Sequence, residues 1–100
     1  MISHMGRISV IIRTFNEQQY LGKTLVRVFS QSDVDFEVII IDSGSTDGTL
    51  LSAARYPVRI IRIRREDFTY GGALNTGIRA SSGDLCVFLS AHAVPADSTW

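Results

Sequence analysis

The sequence has 100 residues, 45% of them hydrophobic and 9% aromatic, which suffices for one small core but not for two independent domains. Ten basic residues balance ten acidic ones, so the composition excludes charge-driven binding to nucleic acid or to an anionic membrane. No apolar stretch approaches the roughly 18 residues of a membrane span and no signal peptide is recognisable, so we expect a cytoplasmic protein.

The N-terminal segment Met1 to Gly6 carries a Ser-His-Met sequence that resembles a cloning remnant. We exclude His4 from any functional assignment for that reason. Residues 7–100 are then the domain to be interpreted.

The first strand and helix are predicted from two apolar patterns. Ile8 to Ile12 is a short β-branched run typical of a buried strand. Glu17 to Gln31 has apolar residues spaced to form one helical face. Asn16 is expected to cap this helix, with Gln19 completing a capping box.

The second unit follows the same pattern. Val38 to Ile41 predicts a buried strand, and Thr46 to Arg55 predicts a shorter helix that Pro57 helps to end. Ser45 is the expected cap of this helix. Asp47 is interpreted as a loop residue favoured by the helix dipole, or alternatively as a ligand contact.

The remaining pattern predicts strand, helix and strand. Val58 to Ile63 partly alternates, as an edge strand does, Gly72 to Ser81 predicts a third helix, and Leu85 to Leu89 predicts a strand buried on both faces. Cys86 lies in this last run and is interpreted as a buried structural thiol. Pro95 to Trp100 resembles the opening of another helix.

The resulting order βαβαβαβ predicts an α/β fold with a mostly parallel, Rossmann-like sheet in the strand order 3-2-1-4. The domain is expected to be incomplete. The fourth strand would lie at an edge although its composition is that of an internal strand. We therefore expect a homo-oligomer that pairs through this exposed edge.

Polar segments follow all four strands and should converge on one rim, where open α/β sheets bind ligands. Neither the glycine fingerprint of dinucleotide-binding proteins nor a P-loop is present in the sequence. A dehydrogenase and a P-loop enzyme are therefore disfavoured.

Three segments together resemble family 2 glycosyltransferases, which have the GT-A fold. Ser9 to Glu17 resembles that family's opening strand and T-[FY]-N-E turn, Val38 to Thr49 its D-x-x-S-x-D-x-T loop, and Ala73 to Asp84 its A-x-N-x-G segment. The three motifs occur in the family's order. The resemblance implies an inverting transfer of sugar from a nucleotide-diphosphate sugar, with UDP-sugar the expected donor.

The resemblance also implies individual roles. Thr14 and Glu17 would line the base and ribose site, and Asp42 would accept a hydrogen bond from the base, commonly uracil. A turn-stabilising role is the alternative for Asp42. Gly72 and Asn75 would contact phosphate or sugar, although a plain loop-to-helix junction explains the glycine equally well.

Three arginines and Asn16 at the rim each have two possible roles. The arginines at the end of the third strand and just after it could steer a diphosphate or could simply solvate an edge strand; they are Arg62, Arg64 and Arg65. Asn16 could contact the ligand instead of capping a helix.

The family's acidic D-x-D motif is replaced here by Ser90-Ala91-His92. Ser90 is expected at the donor site, and His92 is a candidate metal ligand that would favour Mn²⁺ over Mg²⁺. Two alternatives for His92 are a direct hydrogen bond to the diphosphate without metal and a structural histidine.

No catalytic residue is assigned. Inverting transfer requires a carboxylate base, which the resemblance places beyond Trp100, and Glu66 and Asp67 are poor substitutes. The chain is therefore expected to supply the donor site and to be inactive alone. The alternatives are a non-catalytic nucleotide-sugar-binding module and, less favoured, a nucleotidyltransferase, since a glycine-rich basic loop is missing after the first strand.

Overall fold

The computed structural model describes residues 7–31 and 35–90. Four strands alternate with three helices, which confirms the predicted order. The elements are β1 (Ile8–Thr14), α1 (Gln18–Phe29), β2 (Phe36–Asp42), α2 (Thr49–Ala53), β3 (Arg59–Arg62), α3 (Tyr70–Ala80) and β4 (Leu85–Ser90). A short 3-10 turn, Arg65–Asp67, lies between β3 and α3.

The four strands form one parallel sheet in the order β3-β2-β1-β4, as the sequence predicts. The chain proceeds outward from β1 to β3 and then returns to the other side of β1. Strand order therefore reverses between β1 and β4. At their carboxyl ends Thr14 pairs with Asp42 and Arg13 pairs with Ser90. A reversal of this kind is where open α/β sheets bind ligands.

The two central strands are buried on both faces, which explains their nearly continuous apolar sequences. Val10 and Ile12 pack with α1 and α2 on one face, while Ile11 packs with Ala73 of α3 on the other. Side chains alternate between the faces of a strand, so one run of β-branched residues supplies both layers of the core.

The predicted start of α1 is wrong. The helix begins after Glu17, and Asn16 adopts a left-handed backbone conformation with φ of 47°. Asn16 therefore does not cap α1, and the capping box with Gln19 is not formed. Asparagine tolerates this conformation better than most residues, and its side chain bonds to another loop instead.

The other two helices also begin at different residues from those predicted. The short α2 begins after Gly48, so Ser45 is not its cap. In contrast, α3 starts two residues earlier than predicted, because Thr69 Oγ1 accepts a hydrogen bond from the Gly72 amide at 2.9 Å and caps the helix.

The outer strand β4 is less buried than its composition predicts. Leu85 is 58% exposed and Phe88 is 42% exposed. Cys86 is half-buried rather than buried, with its Sγ 3.7 Å from Ser81 Oγ. The predicted helix from Pro95 to Trp100 lies outside the described residues.

Within residues 7–31 and 35–90, no helix is both long and apolar enough to cross a membrane.

Candidate functional site

A cavity of about 470 Å³ opens at the carboxyl ends of β1, β2 and β4. It lies where the strand order reverses, as predicted for an open α/β sheet. Its lining combines strand-end hydroxyl groups with aromatic and charged side chains from three loops. These residues are Arg13, Thr14, Phe15, Asn16, Glu17, Tyr20, Ser43, Arg65, Phe68 and Ser90.

Thr14 lines this cavity and has a buried hydroxyl group. The residue is 3% exposed, and its Oγ1 has no hydrogen-bond partner among the described residues. Its backbone is engaged, because the Thr14 carbonyl accepts a hydrogen bond from the Ser43 amide at 3.1 Å. A buried hydroxyl group without a partner costs about 1–3 kcal/mol, so a ligand that bonded to it would recover this energy.

One wall of the cavity is aromatic and positively charged. The Arg65 guanidinium lies 3.7 Å above the centre of the Phe15 ring. A guanidinium in this position is attracted by the negative face of the ring. Arg13 is half-buried in the floor and also lines the cavity. Two arginines at one opening favour an anionic ligand.

The loops that follow β1 and β2 are held together by hydrogen bonds. Asn16 Oδ1 accepts from the amides of Thr46 and Asp47, at 2.7 and 3.3 Å, and the Asn16 amide donates to Ser45 Oγ at 2.8 Å. These bonds occupy the side chains that the sequence assigned to helix caps. They connect residues about 30 positions apart, and local patterns cannot predict such pairs.

The start of α1 is tied to the same loop. The Glu17 amide donates to Thr49 Oγ1 at 3.0 Å, and the Gly48 amide donates to Gln18 Oε1 at 3.0 Å. The Thr49 hydroxyl also donates to the Asp47 carboxylate. This bond is the main reason why the pKa of Asp47 lies below its ordinary value, and hydrogen bonds from backbone amides lower the pKa further. Asp47 therefore has a structural role in this loop.

Asp42 ends β2 and is completely buried. Its Oδ2 accepts hydrogen bonds from the amides of Gly44 and Ser45, at 3.1 and 2.9 Å, and its Oδ1 accepts one from the Ser45 hydroxyl. Gly44 has a φ of 99°, a conformation that glycine adopts most easily. The carboxylate thus stabilises a tight turn, and its predicted contact with the base stays a prediction.

Gly72 and Asn75 lie within α3 and do not line the cavity. The Gly72 amide already donates to Thr69 Oγ1. Asn75 is exposed. Their neighbours Ala73 and Leu74 line a separate apolar cleft of about 210 Å³ beside β4. Phosphate or sugar contacts by Gly72 and Asn75 stay predictions.

The predicted metal site is only partly described. Ser90 lines the cavity, whereas His92 lies outside the described residues. Among the described residues, no three His, Cys, Asp or Glu side chains come together in a group that could hold a metal ion. The described part of the chain therefore does not by itself provide a set of metal ligands.

The loop acids Glu66 and Asp67 are paired rather than directed into the cavity. Arg64 Nε lies 2.8 Å from Asp67 Oδ2, and Arg64 Nη1 lies 3.9 Å from Glu66 Oε2. Neither acid lines the cavity. Arg62 lies at the edge of the sheet, with its Nε 4.0 Å from the buried Asp42 carboxylate.

Three residues with a predicted donor contact line the cavity: Thr14, Glu17 and Ser90. Five further lining residues have no individual role assigned from the sequence, although all but Tyr20 lie in the segments expected at the rim; they are Arg13, Phe15, Tyr20, Ser43 and Phe68. Two sequence features could have pointed to individual lining residues. Arg13 is a charged residue near the end of an apolar strand, and Ser43 is the first residue after a buried strand.

The chain matches the family model described as glycosyl transferase family 2 over residues 9–100. It belongs to glycosyl transferase family 2. An uncharacterized glycosyltransferase from Nostoc sp. (strain PCC 7120) is 35% identical over 92 residues, which cover 88% of this chain and 29% of that protein. This match confirms the family that the three sequence motifs predict.

Two solved structures share the fold. A mannosyltransferase from Pyrobaculum calidifontis in complex with GDP-Man and Mn²⁺ superposes with a TM-score of 0.79 at 27% identity, covering 93% of this chain and 29% of that one. Glucosyl-3-phosphoglycerate synthase from Mycobacterium tuberculosis, in complex with Mn²⁺, UDP and glucosyl-3-phosphoglycerate, gives a TM-score of 0.73 at 31% identity, covering 86% and 33%. The predicted GT-A-type fold is confirmed, and the chain spans about a third of the length of these proteins.

Proposed function

We propose that the cavity binds the nucleotide diphosphate of a sugar donor, and that the protein transfers this sugar to an acceptor with inversion. Similar structures carry GDP-Man or UDP together with Mn²⁺, which supports a donor of this chemical class. The position of the cavity at the reversal of strand order supports it independently.

Thr14 carries the proposal. The residue lines the cavity, and its buried hydroxyl group has no partner among the described residues, so a small shift of the loop would let a ligand bond to it. A ribose hydroxyl or a base atom of the nucleotide can accept from it or donate to it. Glu17, from the same loop, lines the cavity beside it and has acceptor oxygens suited to ribose hydroxyl groups.

The diphosphate is assigned to the positively charged side of the cavity. Arg65 and Arg13 can each donate hydrogen bonds to phosphate oxygens in a fixed geometry. Ser90 lies on the same floor at the end of β4 and can donate one more. Gly72 and Asn75 are proposed to contact the sugar only if the ligand extends from the cavity across the start of α3.

A divalent metal is proposed on the diphosphate, with His92 as its ligand from this chain and Mn²⁺ favoured over Mg²⁺. The support is the Mn²⁺ in the two similar structures. A bound metal would neutralise charge on the leaving diphosphate. His92→Ala should abolish any stimulation by Mn²⁺, and unchanged activity in chelator would contradict the assignment.

A donor-binding module without transferase activity is the second candidate. Glu17 is the one carboxylate among the described residues that line the cavity, whereas inverting transfer needs a carboxylate placed to deprotonate the acceptor. Release of free nucleotide diphosphate from a UDP-sugar in the presence of acceptor would exclude this candidate.

Calorimetry with UDP, GDP and the corresponding nucleosides, each with Mn²⁺, tests the donor site. We expect a nucleoside diphosphate to bind at least about tenfold more tightly than its nucleoside, because the arginines contact the diphosphate. Equal binding of diphosphate and nucleoside, or no binding of either, would contradict the proposal.

We propose that the protein forms a homo-oligomer in which copies pair through the outer edge of β4. Among the described residues β4 pairs only with β1, so its outer edge carries free backbone groups next to exposed Leu85 and Phe88. Sedimentation over a range of concentrations tests this oligomer, and a monomer at every concentration would contradict it.

A cytoplasmic location is also proposed, because Cys86 carries a free thiol and the cytoplasm keeps thiols reduced.

A further inference from the structure

Asp42 lies beneath the wall of the cavity rather than in it. Its side chain is 0% exposed, and the residue does not line the cavity. Both carboxylate oxygens accept hydrogen bonds from its own turn, from Gly44 and Ser45. A ligand could reach this carboxylate only by displacing the turn.

Ser45 connects this carboxylate to the loop after β1. Its hydroxyl group donates to Asp42 Oδ1, which directs the oxygen lone pairs away from Asp42. The same oxygen accepts from the Asn16 amide at 2.8 Å. Ser45 is 8% exposed, so water competes little for these bonds.

Asn16, whose amide donates to Ser45, has a backbone conformation that other contacts must stabilise. Its φ of 47° is unfavourable for a residue with a side chain. The bond to Ser45 and those from Thr46 and Asp47 to Asn16 Oδ1 hold it there. Phe15 and Glu17, on either side of Asn16, line the cavity. The wall therefore depends on the position of Asn16.

We propose that Asp42 is a positioning residue, which holds the loop after β1 in its ligand-binding shape through Ser45 and Asn16 without contacting the nucleotide base. This inference rests on the proposed donor site for its effect on binding. It differs from a base-recognition role in one consequence: the loss of Asp42 should weaken all nucleoside diphosphates equally.

Amide hydrogen exchange on the ligand-free protein tests the connection without any nucleotide. Asp42→Ala should speed exchange at the Asn16 amide by about tenfold, although Asp42 does not contact Asn16. Asp42→Asn keeps an acceptor for the turn amides and should restore most of the protection. Asp84→Ala, which removes an exposed aspartate at the other end of the sheet, is the matched control and should change nothing at Asn16.

Calorimetry with UDP and GDP tests the effect on binding. Asp42→Ala should weaken both probes by the same factor, roughly ten- to a hundredfold, because a buried bonded group is lost. Ser45→Ala should weaken both as well. The double variant should bind no more weakly than Asp42→Ala, since both substitutions break one chain of contacts.

The outcomes separate this inference from the proposed function. Failure of the unaltered protein to bind UDP or GDP would refute the donor site, and exchange at Asn16 would then decide alone whether Asp42 holds the loop. Unchanged exchange at Asn16 in Asp42→Ala, or a selective loss of one nucleotide, would overturn the positioning role. If Asp42→Ala does not fold, Ser45→Ala decides: unaltered UDP affinity in that variant also overturns it.

Discussion

The two ends of β2 each carry a carboxylate that accepts several hydrogen bonds, and the cavity described above opens at the carboxyl end. At the amino end, Glu37 Oε2 accepts from Ser9 Oγ at 2.6 Å, from the Ser82 amide at 2.6 Å and from Ser82 Oγ at 3.0 Å. At the carboxyl end, Asp42 bonds within its own turn. Glu37 thus connects β2 with β1 and with the segment before β4, whereas Asp42 stabilises the turn beside the cavity.

Packing around the two carboxylates explains the difference. Near Glu37, the Gly83 amide donates to Ser9 Oγ at 2.9 Å, and backbone segments approach so closely that no side chain fits at Gly83. Near Asp42, polar bonds run from loop to loop around the cavity, and the Thr14 hydroxyl is left without a partner among the described residues. The amino end is thus closed by its own hydrogen bonds, whereas the carboxyl end has the cavity in which the donor is proposed to bind.

Gly83→Ala should have the largest effect on stability. The added methyl group would lie 2.6 Å from the Arg7 carbonyl oxygen and 2.5 Å from Ser9 Oγ, so the backbone must move. We expect a loss of about 3 kcal/mol in the free energy of unfolding, measured by urea denaturation. Gly22→Ala is the matched control, because it lies in α1 with no atom within 4 Å, and it should stabilise by roughly 0.5–1 kcal/mol. Equal stabilities of the two variants would contradict the closed packing at Gly83.

Glu37→Gln should remove a pH-dependent part of the stability. The Ser9 hydroxyl, followed by the Ser82 amide, lowers the pKa of Glu37 below its ordinary value. A carboxyl group with a lowered pKa in the folded protein stabilises it above the ordinary pKa, about pH 4.3, and this stability is lost as pH falls through the folded pKa. At neutral pH we expect Glu37→Gln to cost about 1–2 kcal/mol.

Urea denaturation between neutral pH and about pH 3 measures this effect. Glu37→Gln should lose less stability on acidification than the unaltered protein. Asp47→Asn serves as the comparison at the other end of β2, where exposure weakens the effect of a lowered pKa. A Glu37→Gln protein with the full acid dependence of the unaltered chain would contradict the assignment.

Thr14→Val should have the smallest effect of these substitutions: the unfolding free energy should not fall, whereas the affinity for UDP should. Valine has nearly the same shape and removes a buried hydroxyl group without a partner, so the unfolding free energy should stay equal or rise by about 1 kcal/mol. Affinity for UDP should fall roughly fivefold. Thr14→Ser keeps the hydroxyl group and should retain the affinity. Lower stability with unchanged affinity would show that the hydroxyl group serves the fold rather than a ligand.

The strands could be predicted because their signal is local. Runs of β-branched residues at Val10 to Ile12 and Val38 to Ile41 determine buried strands, and alternation with helices then determines a parallel sheet. Helix starts could not be predicted in the same way. Asn16 and Ser45 have ordinary capping side chains, but each bonds to the other's loop, 29 residues away in the chain.

The cavity could be predicted only in part for a related reason. Thr14 and Ser90 follow from the rule that strand ends line the site. Phe15 and Arg65 come together through the 3-10 turn after β3, which no sequence pattern indicated. The predicted start of α3 at Gly72 places Asn75 in the first turn of the helix, whereas capping by Thr69 starts the helix at Tyr70; the contact of Asn75 with the donor stays a prediction.

Mapping UDP binding by amide chemical shifts tests the contrast between the two ends most directly. Titration of isotopically labelled protein with UDP and Mg²⁺, which unlike Mn²⁺ is diamagnetic, should shift the amides of Thr14, Ser43 and Ser90 at the carboxyl ends of the strands. The amides of Ser82 and Gly83 at the amino end should stay unchanged, because that end is closed by its own hydrogen bonds. Shifts concentrated at Ser82 and Gly83, or no saturable shifts at Thr14 and Ser43, would contradict a donor site at the carboxyl ends.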